Sequence, residues 1–573
     1  MPTYTRTCPA SAESFEISEA DVALYARLGP TYQGKQYSIP LPTHSPRERA
    51  RRRFALRNER HFYRGVSCIS GKALISIYSP DKPFKVCSRD EALQIDNTSV
   101  GREFDFSRSF FSQCKELYDS TTKSAVVQSG EMLNSEYTHF TGWAKDCYMV
   151  FDAGQGQNML YGVFMGYSKD VMDAFYLANC ELCYECVKVD RCYNLHFGLR
   201  CQDCNFSAFL ENCIGCSHCI GCCNLRNKEY YVFNEPVGKS GFEQAWNTLF
   251  NGSWAAFLDW RHKFELFSRS LPKRAVSHIN CQHSTGDDLG NCENVRESFN
   301  VEQARNSAYL NDCYFGVEDC ADISSWGESM SRSYELSGCG GLTGKSGMEG
   351  CAFSSYIYYG GYNVLYSINC IEKCQDLLGC FDLRKKQYCI LNKQYSKDEY
   401  DALAAKIVEH MQHTGEWGEF FPLSFSSFGY NESIAAEYFP LTKEQALSRG
   451  AHWSDYQAPI PSPKDSVPPQ TLPDNIQDVD DSYLQRAIGP TSSGRYFRMT
   501  RYELEFYRTH RLPLPREDFY ARHLARAKRL NPRLLTQRTC AKTGVPIVST
   551  YPSGSADIVY SVDAFRAYVY GEE

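Results

Sequence analysis

The chain has 573 residues, of which 43% are hydrophobic and 23% charged, and a net charge of -7. That length exceeds one ordinary core and divides into roughly three to five modules. The composition excludes a disordered chain, and the acidic balance excludes a globally basic nucleic-acid binder while leaving room for local basic patches.

The 39 Tyr and 34 Phe, many of them alternating with small polar residues, favour β structure over a helical bundle. No apolar run reaches about 18 residues, so no transmembrane helix is predicted. The start, Met1-Pro-Thr-Tyr-Thr-Arg6, lacks the charged and apolar regions of a signal peptide. A reducing, cytoplasmic compartment is expected. There, clustered cysteines bind metal or pack as small apolar groups more often than they form disulfides.

In chain order, residues 1–95 form a first module. Cys8-Pro-Ala-Ser11 opens it, and a helix is expected near Glu19–Arg27. Ile39-Pro-Leu-Pro42 leads into a helical basic run from Arg47 to Arg64 that carries eight arginines. Ser67-Cys-Ile-Ser-Gly-Lys72, a strand near Leu74–Tyr78 and a short helix at Asp90–Leu93 follow. Residues 485–573 repeat this plan. A shift of 473 superposes Pro40, Leu41, Pro42, Arg49, Arg53, Asn58, Arg60, Gly71, Ser76 and Tyr78 on identical residues, from Pro513 to Tyr551. Identity of that density marks homologous modules.

The middle is duplicated as well. Gly221-Cys222-x-Asn-Leu225-Arg226-x-Lys228-x-Tyr230-x3-Asn234 returns, shifted by 158, as Gly379-Cys380-x-Asp-Leu383-Arg384-x-Lys386-x-Tyr388-x3-Asn392. Each copy runs into an amphipathic helix, expected at Gly241–Phe267 and at Lys397–His413. These boundaries give two lobes, 104–270 and 271–450. A stretch at 451–484, with six prolines between Ala458 and Pro473, reads as a Pro-rich and acidic linker.

The first lobe holds eleven of the 27 cysteines between Cys180 and Cys223, and ten of those eleven share one phase of a three-residue period. Strand-sized segments alternate with small turn residues, and no helical period is present between 137 and 238. The expected fold is therefore mainly β with α. Two duplicated β-solenoid lobes, each closed by a helix, are flanked by duplicated degenerate zinc-ribbon or treble-clef modules. Of the knuckle cysteines, the first end module keeps Cys8, Cys68 and Cys87 and the second keeps Cys540. Shifts of 21 and 33 both superpose the cysteine pattern, since any multiple of three does, so the coil length stays open.

Cys-x2-Cys pairs can place two sulfurs on one cation, and two pairs complete a tetrahedral zinc site. Cys180, Cys183, Cys186, Cys201, Cys204, Cys213, Cys216, Cys219 and Cys222 are the candidate ligands. An iron–sulfur cluster is the alternative cofactor, and an inert ladder of reduced, buried thiols is the reading without metal. Arg49, Arg51, Arg52, Arg53, Arg57, Arg522, Arg526 and Arg529 are candidate phosphate contacts for nucleic acid, weighed against helical faces that pair with acidic lobes. Gly341-Leu-Thr-Gly-Lys-Ser346 has Cys339 where a phosphate loop needs glycine, so no nucleotide is expected. The pairs His278/His283 and His410/His413 read as surface. The carboxylates Asp287, Asp288, Glu318, Asp319 and Asp322 suit carbohydrate chemistry but have no distinguishing spacing.

The Arg-x3-Arg helix after Ile39-Pro-Leu-Pro42, the Tyr78-Ser-Pro80 and Thr-Tyr-Pro552 segments, and Asn-Leu-Arg-Asn-Lys-Glu-Tyr230 carry a resemblance. The chain resembles large, uncharacterised Cys-rich proteins of candidate-phyla-radiation bacteria with zinc-ribbon-like ends. The resemblance spans nearly the full length and implies a zinc-ribbon expectation but no activity. Three functions follow as expectations. The first is a non-enzymatic structural or interaction protein acting as an assembly or scaffold subunit, joined to a protein partner or to itself, without membrane insertion. The second is a nucleic-acid- or ribosome-associated protein. The third is a metal-dependent or iron–sulfur redox enzyme with no catalytic residue named.

Overall fold

A computed structural model describes residues 4–571 apart from 167–171, 173–174, 179–185, 315, 325–329, 332, 340–347 and 358–359. The chain is mixed α/β with long parallel sheets, and it divides into two interleaved units. The first unit joins 1–125 to 276–456; the second joins 126–275 to 457–573. Each unit thus combines one end module with a lobe that is not its neighbour along the chain. No described helix is long and apolar enough to cross a membrane.

In the second unit, one sheet runs from Gln128–Leu133 to Glu235–Pro236 and has eleven strands among the described residues. All neighbours are parallel except the last pair. Thr138 pairs with Val150, Phe151 with Val163, and Val187 with Leu199, so the register advances by twelve residues each time.

The three-residue cysteine phase has a backbone cause. Arg191, Asn194, Phe197, Arg200, Asp203, Phe206, Phe209, Asn212, Gly215, His218, Gly221, Asn224, Asn227, Tyr230 and Phe233 all have positive φ. A left-handed residue at every third position turns the chain, and the residue after it points inward. Cys192, Leu195, Cys201, Cys204, Ser207, Leu210, Cys213, Cys216, Cys219 and Cys222 occupy that inward phase, each no more than 2% exposed. A non-glycine residue in this conformation costs roughly 1–2 kcal/mol. The parallel hydrogen-bond ladder and the side-chain ladders at the turns, such as Asn212 to Asn224 at 2.8 Å, offset that cost.

The helix expected over 241–267 is two helices, Gly238–Leu249 and Trp254–Arg269. Gly252 at φ 87° and the N-cap Ser253 break it. From Gln457 on, the segment expected as a linker is packed in this unit. Val467, Leu472, Ile476 and Val479 are buried, and Ser466–Val467 pairs with Ala487–Ile488. Proline there sets turns rather than a tether.

The first unit repeats the design with a less even step. Gly286 pairs with Ser298, twelve on; Gly361 pairs with Cys374, thirteen on. The repeated phrase makes the same hydrogen bond in both units. Asn234 accepts from the Cys223 amide at 2.9 Å, and Asn392 accepts from the Phe381 amide at 2.8 Å. The helix Lys397–Thr414 starts at a Ser396 capping box and stops at left-handed Gly415. The helix Phe110–Ser120 begins at the N-cap Ser109 and is absent from the sequence expectations; it buries Phe110, Cys114 and Leu117, the first two beside Gly379.

Candidate metal and nucleic-acid sites

Cys180 and Cys183, and the loop Gly341–Ser346, lie outside the described residues. Cys186, Cys201, Cys204, Cys213, Cys216, Cys219 and Cys222 are all buried on the inward phase. Each thiol faces backbone carbonyls. Cys204 Sγ lies 3.2 Å from the Gln202 carbonyl oxygen and 3.4 Å from that of Cys213; Cys213 lies 3.5 Å from those of Glu211 and Cys222. Serine on the same phase behaves alike: Ser207 Oγ donates to the Asn205 carbonyl at 2.7 Å and accepts from the Cys219 amide at 3.0 Å. Carbonyl oxygens attract a protonated thiol and repel a thiolate. Burial pushes the Cys201 and Cys213 thiols well above their ordinary range, while hydrogen bonds from neighbouring thiols lower those of Cys204 and Cys216. Among the described residues, no group of three or more His, Cys, Asp and Glu is arranged to hold a metal ion.

The burial of these thiols yields a direct expectation. Cys213→Leu should destabilise the second unit by about 1–3 kcal/mol through overpacking, whereas Cys213→Ser should cost about 1 kcal/mol or less, since serine makes the same bonds. Urea midpoints of the two variants would show the difference.

Seven of the eight arginines expected to contact nucleic acid are buried. Arg49, Arg51, Arg52, Arg53, Arg57, Arg522 and Arg526 are each at most 7% exposed. The helix Pro46–Ala55 turns Arg49, Arg51, Arg52 and Arg53 inward and leaves Arg47 exposed. Arg49 and Arg53 both reach Asp322, at 2.9 and 3.2 Å, and Arg53 Nε donates to Ser324 Oγ at 3.0 Å. Arg52 meets Glu335 at 2.8 Å, Arg51 meets Glu48, and Arg57 meets Glu59. Asp322 is fully buried, so its part is to neutralise arginine, not to act on carbohydrate. Arg529 is half-buried.

The same clasp is built twice. In the first unit, the Tyr309 hydroxyl donates to Asp21 at 3.0 Å while Arg49 lies 5.0 Å over the Tyr309 ring. In the second, the Tyr161 hydroxyl donates to Glu503 at 2.7 Å while Arg522 lies 4.8 Å over the Tyr161 ring. Asp21 and Glu503 each stand third in a helix, Glu19–Tyr25 and Arg501–Thr509. Each end module thus holds its lobe through a carboxylate, a tyrosine and an arginine.

Within the end modules, the tight turns of four hairpins meet the starts of helices. Cys8, Ser67 and Cys540 each close a turn in which their amide bonds a carbonyl five residues on and their carbonyl accepts an amide four residues on. Thr491 closes a turn one residue shorter. The helices begin at N-caps Ser45, Ser88, Asp518 and Ser561. Side chains join turn to cap. Ser67 and Ser88 donate to one Glu91 oxygen at 2.6 and 2.8 Å. Thr491 and Ser493 donate to one Asp518 oxygen at 2.6 and 2.7 Å. Cys540 Sγ accepts from the Ser561 amide at 3.2 Å. Hydrogen bonds from Ser67 and Ser70, then from the Ser88 amide and hydroxyl, pull the Glu91 carboxyl down to about 2. Burial raises the Cys540 thiol, but bonds from Thr543 and from the amides of Ser561, Thr543 and Lys542 outweigh it and bring it to about 6. Cys68 and Cys87, expected in the first module's knuckle, each stand one residue off the position that joins turn to cap. Ser67 and Ser88 hold those places, and a shift of 473 carries them onto Cys540 and Ser561.

No protein-family model and no curated protein matches this sequence. Among solved structures, one described as a "putative acetyltransferase" from Desulfovibrio desulfuricans G20 aligns at 9% identity, covering 48% of this chain and 69% of that one, with a TM-score of 0.10. At that score the likeness carries no inference.

Proposed function

We propose that the protein is a non-enzymatic structural component, an assembly or scaffold subunit. In this reading each long parallel sheet is one face of a narrow β-solenoid with coils of about twelve residues, and each end module is a clamp on its solenoid. The twelve-residue register and the three-residue alternation of left-handed and inward residues support the solenoid. The duplicated clasp, Asp21–Tyr309–Arg49 and Glu503–Tyr161–Arg522, carries the functional reading: side chains suited to chemistry are spent on holding modules to lobes. The same proposal groups the chain with the Cys-rich proteins it resembles in sequence, with zinc replaced at the flanks.

Light scattering and cross-linking of protein purified from its native source, without tags, test the proposal. A defined assembly, of several copies or with a protein partner, is the expected result. A single chain free of partners at native concentration would sink it.

A further inference from the structure

The end modules carry a feature beyond clamping. A zinc knuckle takes two ligands from a tight turn, three residues apart, and two from the start of a following helix, also three apart. In this chain that geometry occurs with other residues. We propose that Cys540, Thr543, Ser561 and Ala564 occupy the four ligand positions of a metal knuckle, that Ser67, Ser70, Ser88 and Glu91 do so in the first module, and that each module holds a second such knuckle, so that hydrogen bonds replace metal at four places.

Three observations carry this. The turns at Cys8, Ser67 and Cys540 share one backbone bonding pattern, and each is followed by a left-handed residue after the fourth position: Ala12, Gly71 and Gly544. The helix start that each turn meets is a capped residue: Ser88 and Ser561 cap the next helix along the chain, and Ser45 caps the second helix after the Cys8 turn. Cap and turn touch where a metal would join them, through Cys540 Sγ to the Ser561 amide, through Ser67 and Ser88 to Glu91, and through Thr491 and Ser493 to Asp518. The fourth turn, at Thr491, keeps this contact although it is a residue shorter. Two of the knuckles centre on a carboxylate that gathers hydroxyl donors. The other two keep one cysteine, Cys8 or Cys540, as the turn's first residue. The chemistry is self-consistent: a carboxylate with several donors replaces a cation with several acceptors, and the turn and helix stay joined.

Restoring the ligands tests the assignment. The full-length triple variant Thr543→Cys, Ser561→Cys, Ala564→Cys retains native Cys540. On titration with Co(II) alone it should take up one ion per chain, with thiolate charge-transfer and tetrahedral d–d absorption, and bind roughly a thousandfold more tightly than the unaltered chain. A second full-length variant, Ser67→Cys, Ser70→Cys, Ser88→Cys, Glu91→Cys, asks the same of the first module. Tetrahedral cobalt in either variant supports the proposal, as does folding of either one only when metal is added. Absence of the tetrahedral spectrum from both would overturn it, and so would a chelator that unfolds the unaltered protein.

Discussion

Asp322→Ala is expected to destabilise the first unit by about 3–5 kcal/mol, the usual result of removing one partner from a buried charge pair. Asp322 serves two guanidiniums, and Arg49, Arg53 and Asp322 are all within 1% of full burial. Without the carboxylate, two cations remain in a site with Tyr25 and Tyr334 among the neighbours. Water must enter or the helix Pro46–Ala55 must leave. Hydrogen exchange read by mass spectrometry should show amides of that helix losing protection by about two to three orders of magnitude, while the strand Asn205–Glu211 of the second unit keeps its own. Equal protection in both proteins would mean that solvent already screens the pair. The triple replacement Arg49→Met, Arg53→Met, Asp322→Leu removes all three charges of this pair of bridges, leaves the neighbouring Arg52–Glu335 bridge in place, and should recover most of the loss.

The second unit should lose about 3 kcal/mol between pH 7 and pH 4 through His196 alone. Burial, with a lesser push from His510, brings this imidazole down to about 3. It lies among the rings of Phe250, Trp246 and His510, at 5.0, 6.0 and 5.7 Å. The folded protein binds the proton less readily than the unfolded chain, whose histidine titrates near about 6.5. The stabilising contribution is therefore complete above that value and lost as the pH falls toward the folded one. Acid also protonates carboxylates, so the useful quantity is a difference. The change in urea-unfolding free energy from pH 7 to pH 4 should be about 3 kcal/mol smaller in His196→Phe than in the unaltered chain. Identical pH dependence would show that the imidazole is hydrated.

Much of this arrangement can be read from the residues. The cysteine phase is visible because the inward position recurs every third residue, and both duplications survive as identities. The twelve-residue step is not visible, because a pattern of period three is satisfied by every multiple of three. The arginines announce their charge but not its direction: Arg53 meets a carboxylate 269 residues further along the chain. The joints between turn and helix start are harder to read, for a chemical reason. A search for metal ligands follows cysteine, and at Ser67, Ser88, Thr491 and Asp518 the turn-to-helix bond is made by oxygen. The usable signal is the alignment itself, which sets Ser88 on Ser561 and Ser45 on Asp518.

The interleaved order of the two units has a consequence for biosynthesis. As the chain leaves the ribosome, the module at 1–125 appears first, but its lobe, 276–456, comes only after the whole of the other lobe. At about 5–20 residues per second, the arginines of Pro46–Ala55 wait tens of seconds for Asp322, and the lobe at 126–275 waits for the module at 457–573. Two half-finished units therefore coexist on one nascent chain, and each carries the clasp residues that suit the other's lobe. Their similarity makes mispairing the main hazard of synthesis. The differences between the clasps, aspartate against glutamate and a crowded against a sparse set of buried arginines, then serve to sort each module to its own lobe.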